Sequence, residues 1–120
     1  MKVVMIVDDD DEARDALGTI LQESGYRVVQ AEHGAAAWKL LEEQAGGCDL
    51  ILLDLMMPVM NGWDFRRKQR QDPRFSPIPV LMMSAGAHIA AVADDLGATD
   101  YIPKPIDVDV LLEKVKRHAR

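Results

Sequence analysis

A single cysteine, Cys48, leaves the chain without an intrachain disulfide, and nothing in its cysteine usage points to an oxidising compartment. Long hydrophobic runs are missing as well. The first apolar run, Val3 to Val7, is too short for a signal-peptide core and leads straight into four aspartates. No stretch approaches the ~20 apolar residues of a membrane span, so a cytoplasmic location is the simplest expectation. Positive charge is also in short supply: 14 Lys and Arg stand against 20 Asp and Glu, a formal net charge of −6. Neutralising phosphates needs the opposite balance, which argues against direct nucleic-acid binding. The one basic cluster, Arg66-Arg67-Lys68-Gln69-Arg70, reads as the solvated face of a helix. No Pro/Ser/Gly-rich linker or low-complexity tract interrupts the 120 residues, so residues 1–120 are expected to form one domain.

What the chain does have is an alternation, repeated five times, of short apolar runs and amphipathic segments. The runs are Val3–Val7, Arg27–Ala31, Leu50–Leu53, Val80–Met83 and Asp100–Ile102. Most are nearly continuous, as strands buried on both faces of a parallel sheet are, while the second is mixed, as an edge strand is. Between them, Ala13, Ala16, Leu17, Ile20 and Leu21 fall at helical spacing, with Gly25 as a stop. Ala37, Leu40, Leu41 and Ala45 repeat the pattern before Gly46-Gly47, and Val108, Leu111, Leu112 and Val115 make a last helix with Asp107 as its N-cap. Less clearly patterned helices start near Asn61-Gly62 and run from His88 to Leu96, with Gly97 as a stop. The expected fold is α/β: a doubly wound, five-stranded parallel sheet with helices on both faces.

In such sheets ligands bind beyond the carboxyl ends of the strands. Asp8 to Asp11 follow the first strand, Asp54 ends the third, Ser84 ends the fourth and Lys104 follows the fifth. Clustered carboxylates repel one another unless a cation intervenes, and Mg²⁺ (or Mn²⁺) suits a site of few carboxylates and several waters. Helix capping accounts for Asp10 or Asp11, but not for Asp54, which lies among apolar residues. Asp8, Asp9 and Asp54 are therefore the candidate metal ligands. A carboxylate held beside a metal and a lysine can attack phosphorus and form an acyl phosphate. Lys104 supplies positive charge, and the Ser84 hydroxyl can donate to a phosphate oxygen. The Lys104-Pro105 bond admits a cis form that could turn the lysine toward this rim. Tyr101, judged by residue type alone, reads as half-buried packing.

Four separated motifs in order then carry a resemblance: Val7-Asp8-Asp9-Asp10, the segment Asp54 to Gly62, Met83-Ser84-Ala85, and Gly97 to Pro105. Together they resemble the response-regulator receiver domain of two-component signalling, with its flavodoxin-like βα repeat. The resemblance implies that Asp54 is the phosphoacceptor and that Asp9 and Asp8 bind Mg²⁺, helped by the backbone carbonyl of Met56. It implies that Ser84 and Lys104 contact the phosphoryl group and that Tyr101 is an aromatic switch moving with Ser84. The implied donor is a sensor histidine kinase or histidine phosphotransfer protein. The implied readout is the surface of the fourth helix, fifth strand and fifth helix, toward a downstream protein that the sequence does not name. Ser84 to Lys104 is two residues shorter than is usual in the family, which places a shortened fourth-helix region on that surface. Met56 and Gly86, at positions that tune phosphate loss, offer no polar side chain.

Two other readings compete with this one. An aspartyl-nucleophile phosphatase commonly needs a second carboxylate two residues on, where this chain has Met56, so no separate enzymatic turnover is expected. A silent interaction module need not keep Asp8, Asp9, Asp54, Ser84 and Lys104 together. The expected state is a stand-alone monomer or a weak phosphorylation-dependent dimer, without membrane contact. His33, His88 and His118 are scattered without metal-ligand spacing, and the methionines read as core filler.

Overall fold

The computed structural model describes residues 1–44, 47–55, 61–86 and 88–120. Strands β1 (Val3–Val7), β2 (Arg27–Ala31), β3 (Leu50–Asp54), β4 (Val80–Ser84) and β5 (Asp100–Pro103) alternate with helices α1 (Asp11–Glu23), α2 (Gly34–Glu43), α3 (Gly62–Gln71), α4 (Ile89–Asp95) and α5 (Val108–His118). All strand pairs are parallel, in the order β2-β1-β3-β4-β5, so the doubly wound fold expected from the sequence is the one formed and β2 is an edge strand.

The three central strands, β1, β3 and β4, are buried almost throughout because both of their faces are covered. Alternate residues serve opposite cores, as the two-residue period of a strand requires. Met5, Val7, Ile51, Leu53, Val80 and Met82 face a layer built from α2, α3 and α4. Val4, Ile6, Leu50, Leu52, Leu81 and Met83 face α1 and α5. Met5, Met82 and Met83 are core residues, while Met56, Met57 and Met60 lie outside the described residues.

Caps set where the helices begin. Asp10 accepts from the Ala13 amide at the start of α1, and Asp107 accepts from the amides of Asp109 and Val110 at the start of α5. Helix α2 starts three residues before Ala37, capped by His33, whose Nδ1 accepts from the Ala36 amide at 3.0 Å. His33 is therefore a structural cap and not a scattered surface side chain. Gly25, at φ 95°, and Gly97, at φ 64°, take the left-handed backbone that ends α1 and α4.

Candidate functional site

The carboxyl ends of β1, β3, β4 and β5 meet on one rim because parallel strands share a direction. Asp8 extends β1 by one rung, its amide donating to Ala31 O at 3.1 Å. Its carboxylate accepts from the Asp10 amide at 3.0 Å, and its carbonyl accepts from Nη1 of Arg14 at 2.7 Å. Arg14 also donates to Asp11 and Gln30, so one guanidinium ties the start of α1 to β2 and to the rim. The sequence pattern left Arg14 unassigned; its only local signal is the three-residue spacing from Asp11.

Asp54 ends β3 at 4% exposure, and Asp8 is 1% exposed. Carboxylate oxygens of Asp8, Asp9 and Asp54 lie within 4.8 Å of one another, with Asp9 on the exposed side. Lys104 N donates to Ser84 O at 3.0 Å, continuing the β4–β5 ladder past its last rung. From there Nζ reaches Oδ2 of Asp8 at 3.3 Å and Oδ2 of Asp54 at 3.6 Å. Burial alone would lower the Lys104 pKa, but the charges of Asp54 and Asp8 outweigh it and hold the ammonium above its ordinary range. The peptide bond from Lys104 to Pro105 is cis.

Helix α3 begins hard against the chain that follows Asp54. The Gly62 amide donates to Leu55 O at 3.1 Å. A Cβ at Gly62 would lie 2.7 Å from the Leu55 Cα and 2.9 Å from Asp54 O, closer than real Cβ contacts come. Glycine is needed here for close approach.

Ser84 ends β4 with its hydroxyl donating to Ala85 O at 3.1 Å. It lines a cavity of about 300 Å³ together with Leu55, Trp63, His88, Ile89 and Val92. Tyr101 stands apart from the carboxylates, half-buried in β5 opposite Met82. Lys114 of α5 donates to its carbonyl at 2.5 Å and holds its ammonium 4.8 Å from the centre of the ring. The structure thus brings Asp8, Asp9, Asp54 and Lys104 together, sets Ser84 on the adjoining strand end and leaves Tyr101 on the edge. The carbonyl of Met56 lies outside the described residues.

Two expectations need correction. The basic cluster is not simply a solvated face: Arg66 and Gln69 turn inward and are buried. Of its other cations, Arg67 pairs with Asp64, Lys68 lies 4.3 Å over the centre of the Trp38 ring and Arg70 donates to Leu96 O. His118 is also more than a lone surface histidine, since its Nε2 lies 3.1 Å from Oδ2 of Asp100, which binds Lys114 through its other oxygen.

The sequence model of the response regulator receiver domain matches residues 4–116. The chain belongs to the receiver family. Among its relatives, the chemotaxis protein CheY1 of Helicobacter pylori strain 26695 is 37% identical over 116 residues, covering 94% of this chain and 93% of that protein. The DNA-binding dual master transcriptional regulator RpaA of Synechocystis is 37% identical over 122 residues, covering all of this chain but half of that protein. Among solved structures, chemotaxis protein CheY4 of Vibrio cholerae superposes with a TM-score of 0.89 at 29% identity, covering 98% of each chain. Membership places this receiver in phosphorylation-based two-component signalling, as a signalling domain and not a classical enzyme. Receivers bind Mg²⁺ at an acidic pocket, and the cluster of Asp8, Asp9 and Asp54 has the composition of one.

Proposed function

We propose that residues 1–120 form a phosphorylation switch that accepts a phosphoryl group on Asp54. The observation that carries this reading is the packing of Asp54 with Asp8 and Asp9, carboxylate oxygens within 4.8 Å, under the ammonium of Lys104. Like charges this close, two of them buried, are unfavourable alone, and the donor set is all hard oxygen. It fits Mg²⁺ or Mn²⁺ held by Asp8, Asp9 and Asp54, with the Met56 carbonyl assigned as a further ligand by resemblance. When bound, the ion neutralises charge on the transferring phosphoryl group.

The chain's own residues do the rest. A carboxylate oxygen of Asp54 attacks the phosphorus of a phosphohistidine on a sensor kinase or phosphotransfer protein. The P–N bond breaks, its electron pair returns to the imidazole, and an acyl phosphate forms. Lys104 is placed to pair with a phosphoryl oxygen, and the Ser84 hydroxyl can exchange its bond to Ala85 O for one to another. That exchange favours one arrangement of β4, α4 and Tyr101 over another, which is a population shift read by a downstream protein on the α4-β5-α5 side. Signalling as a cytoplasmic monomer, or as a weak phosphorylation-dependent dimer, belongs to the same proposal.

The test is the intact mass of wild type and Asp54→Asn after incubation with acetyl phosphate and Mg²⁺. One labile phosphoryl adduct on the wild type alone, absent when Mg²⁺ is chelated beforehand, is the expected result. An equal adduct on Asp54→Asn would move the acceptor elsewhere. No adduct, together with no binding of fluoroberyllate, would leave the fold as a silent module.

A further inference from the structure

Helix α3 turns two polar side chains into the core, Arg66 at 7% exposure and Gln69 at 0%. Among the described residues no carboxylate pairs with Arg66. Its Nε donates to Leu96 O at 3.1 Å, its Nη2 to Gly97 O at 2.6 Å, and its Nη1 to Oε1 of Gln69 at 2.7 Å. Gln69 extends the connection, donating from Nε2 to Phe75 O at 2.9 Å and to Ile78 O at 3.1 Å. Arg70 adds a bond to Leu96 O at 3.1 Å. One side of α3 therefore holds both the segment entering β4 and the end of α4.

Leu96 is the C-cap of α4, and Gly97 is the left-handed residue that follows it. Carbonyls at a helix C-terminus lack intrahelical donors and carry the negative end of the helix dipole, so a guanidinium fork matches them in charge and geometry. Burial and, after it, the neighbouring charge of Arg70 lower the Arg66 pKa, since both disfavour a cation there. An apolar side chain would fill the same stripe of α3 without that desolvation. What the arginine adds is directional attachment.

The other end of α4 is built differently. Its N-cap, His88, makes no side-chain cap bond. His88, Ile89 and Val92 border the cavity of about 300 Å³ that Ser84 also lines. Helix α4 is thus tied down where it enters β5 and bordered by open volume where it follows Ser84.

We infer that Arg66 is a positioning residue for the switch: it fixes the C-terminal end of α4 to α3, so that the response to a phosphoryl group beside Ser84 is confined to the N-terminal part of the helix. Helix α4 pivots about Leu96 and Gly97 and does not shift as a whole. The inference rests on the phosphorylation reading of Asp54 and Ser84, and adds which part of α4 carries the signal.

The experiment is residue-resolved amide hydrogen exchange on the full chain with Mg²⁺, with and without fluoroberyllate. In the wild type, exchange at Val92 and Ala93 should change by about tenfold while Leu96, Gly97 and Ala98 stay within about twofold, as expected for local opening. In Arg66→Met the three C-terminal amides should join the response by about tenfold, with phosphoryl adduct yield on Asp54 unchanged. Arg66→Lys, which keeps the charge without the fork, should fall between the two and carries the test if Arg66→Met does not fold. A merely structural Arg66 would lower global stability without moving where the ligand response ends. Equal responses along the whole of α4 in the wild type, or an unaltered pattern in both variants, overturn the inference. If Asp10 and Lys104 amides respond to fluoroberyllate and α4 behaves in that uniform way, the inference alone fails. If no amide responds at all, the phosphorylation reading fails and takes the inference with it.

Discussion

Lys104 and Asp54 belong to strand ends that do not touch, since β4 runs between β3 and β5, yet the Lys104 ammonium lies 3.6 Å from the Asp54 carboxylate. The same Nζ is 3.3 Å from Asp8, so one flexible side chain spans the rim and balances part of its negative charge. Asp54 is nearly fully buried, while Asp9 of the same cluster is exposed.

Asp54→Asn should abolish the phosphoryl adduct while leaving the cooperative unfolding transition in place, because the substitution keeps shape and removes one of three clustered charges. Intact mass and circular dichroism of the same sample check both halves. Full adduct yield on the variant would place the acceptor on another side chain.

Asp9→Ala and Lys104→Ala should separate two roles. Asp9→Ala removes a proposed ligand, and Mg²⁺ affinity should fall by about tenfold or more. Lys104→Ala removes a cation from the same rim, so Mg²⁺ affinity should hold or rise while the response to fluoroberyllate is lost. Titration followed by the fluorescence of Trp63, which lines the cavity beside Ser84, reads both. Unchanged metal affinity in Asp9→Ala would remove that residue from the ligand set.

Gly62→Ala tests the close approach of α3 to the end of β3. The added Cβ would sit 2.7 Å from backbone, which cannot move aside as a flexible side chain can. A loss of ~1–3 kcal/mol on chemical denaturation is expected, the range typical of overpacking. A neutral result would mean that the start of α3 yields freely.

Asp100→Asn addresses the tie between β5 and α5. Burial acts to raise the Asp100 pKa, but hydrogen bonds from the Tyr101 amide, Lys114 and His118 outweigh it and bring the carboxylate below its ordinary range. A depressed folded-state pKa stabilises above the unfolded value of about 3.9, and that stability is lost as pH falls through the folded value. The partly exposed pair should contribute about 1 kcal/mol or less at neutral pH. Wild type and variant should therefore differ at pH 7 and converge in acid below about pH 4, seen in thermal melts across pH. A difference that persists unchanged at low pH would assign the effect to packing.

Much of this was legible beforehand because it depends on short-range rules. The near-continuous runs Leu50–Leu53 and Val80–Met83 read as strands covered on both faces, and they are. Asp107 announced its helix by residue type and position and caps it as expected, and of the two candidates Asp10 and Asp11 it is Asp10 that caps α1. The basic cluster misled because a run of charges on a helix is ordinarily solvated, while the helical period also carries Arg66 inward to the end of α4 and Gln69 inward to the segment that enters β4. His118 was passed over for a similar reason: its partner Asp100 precedes it by 18 residues and lies on another element.

The sequence by itself determined the alternation of five strands and five helices, the parallel sheet, and the appearance of Asp8, Asp54, Ser84 and Lys104 at strand ends on one rim. Local periodicity sets the elements, and a shared strand direction sets the rim. Only the tertiary structure decided which rim groups meet, that Lys104 bridges Asp8 and Asp54, and that Arg66 leaves the surface to hold Leu96 and Gly97. Those contacts join residues 30 to 96 positions apart in the chain, and distances of that kind are set by how helices pack across a twisted sheet.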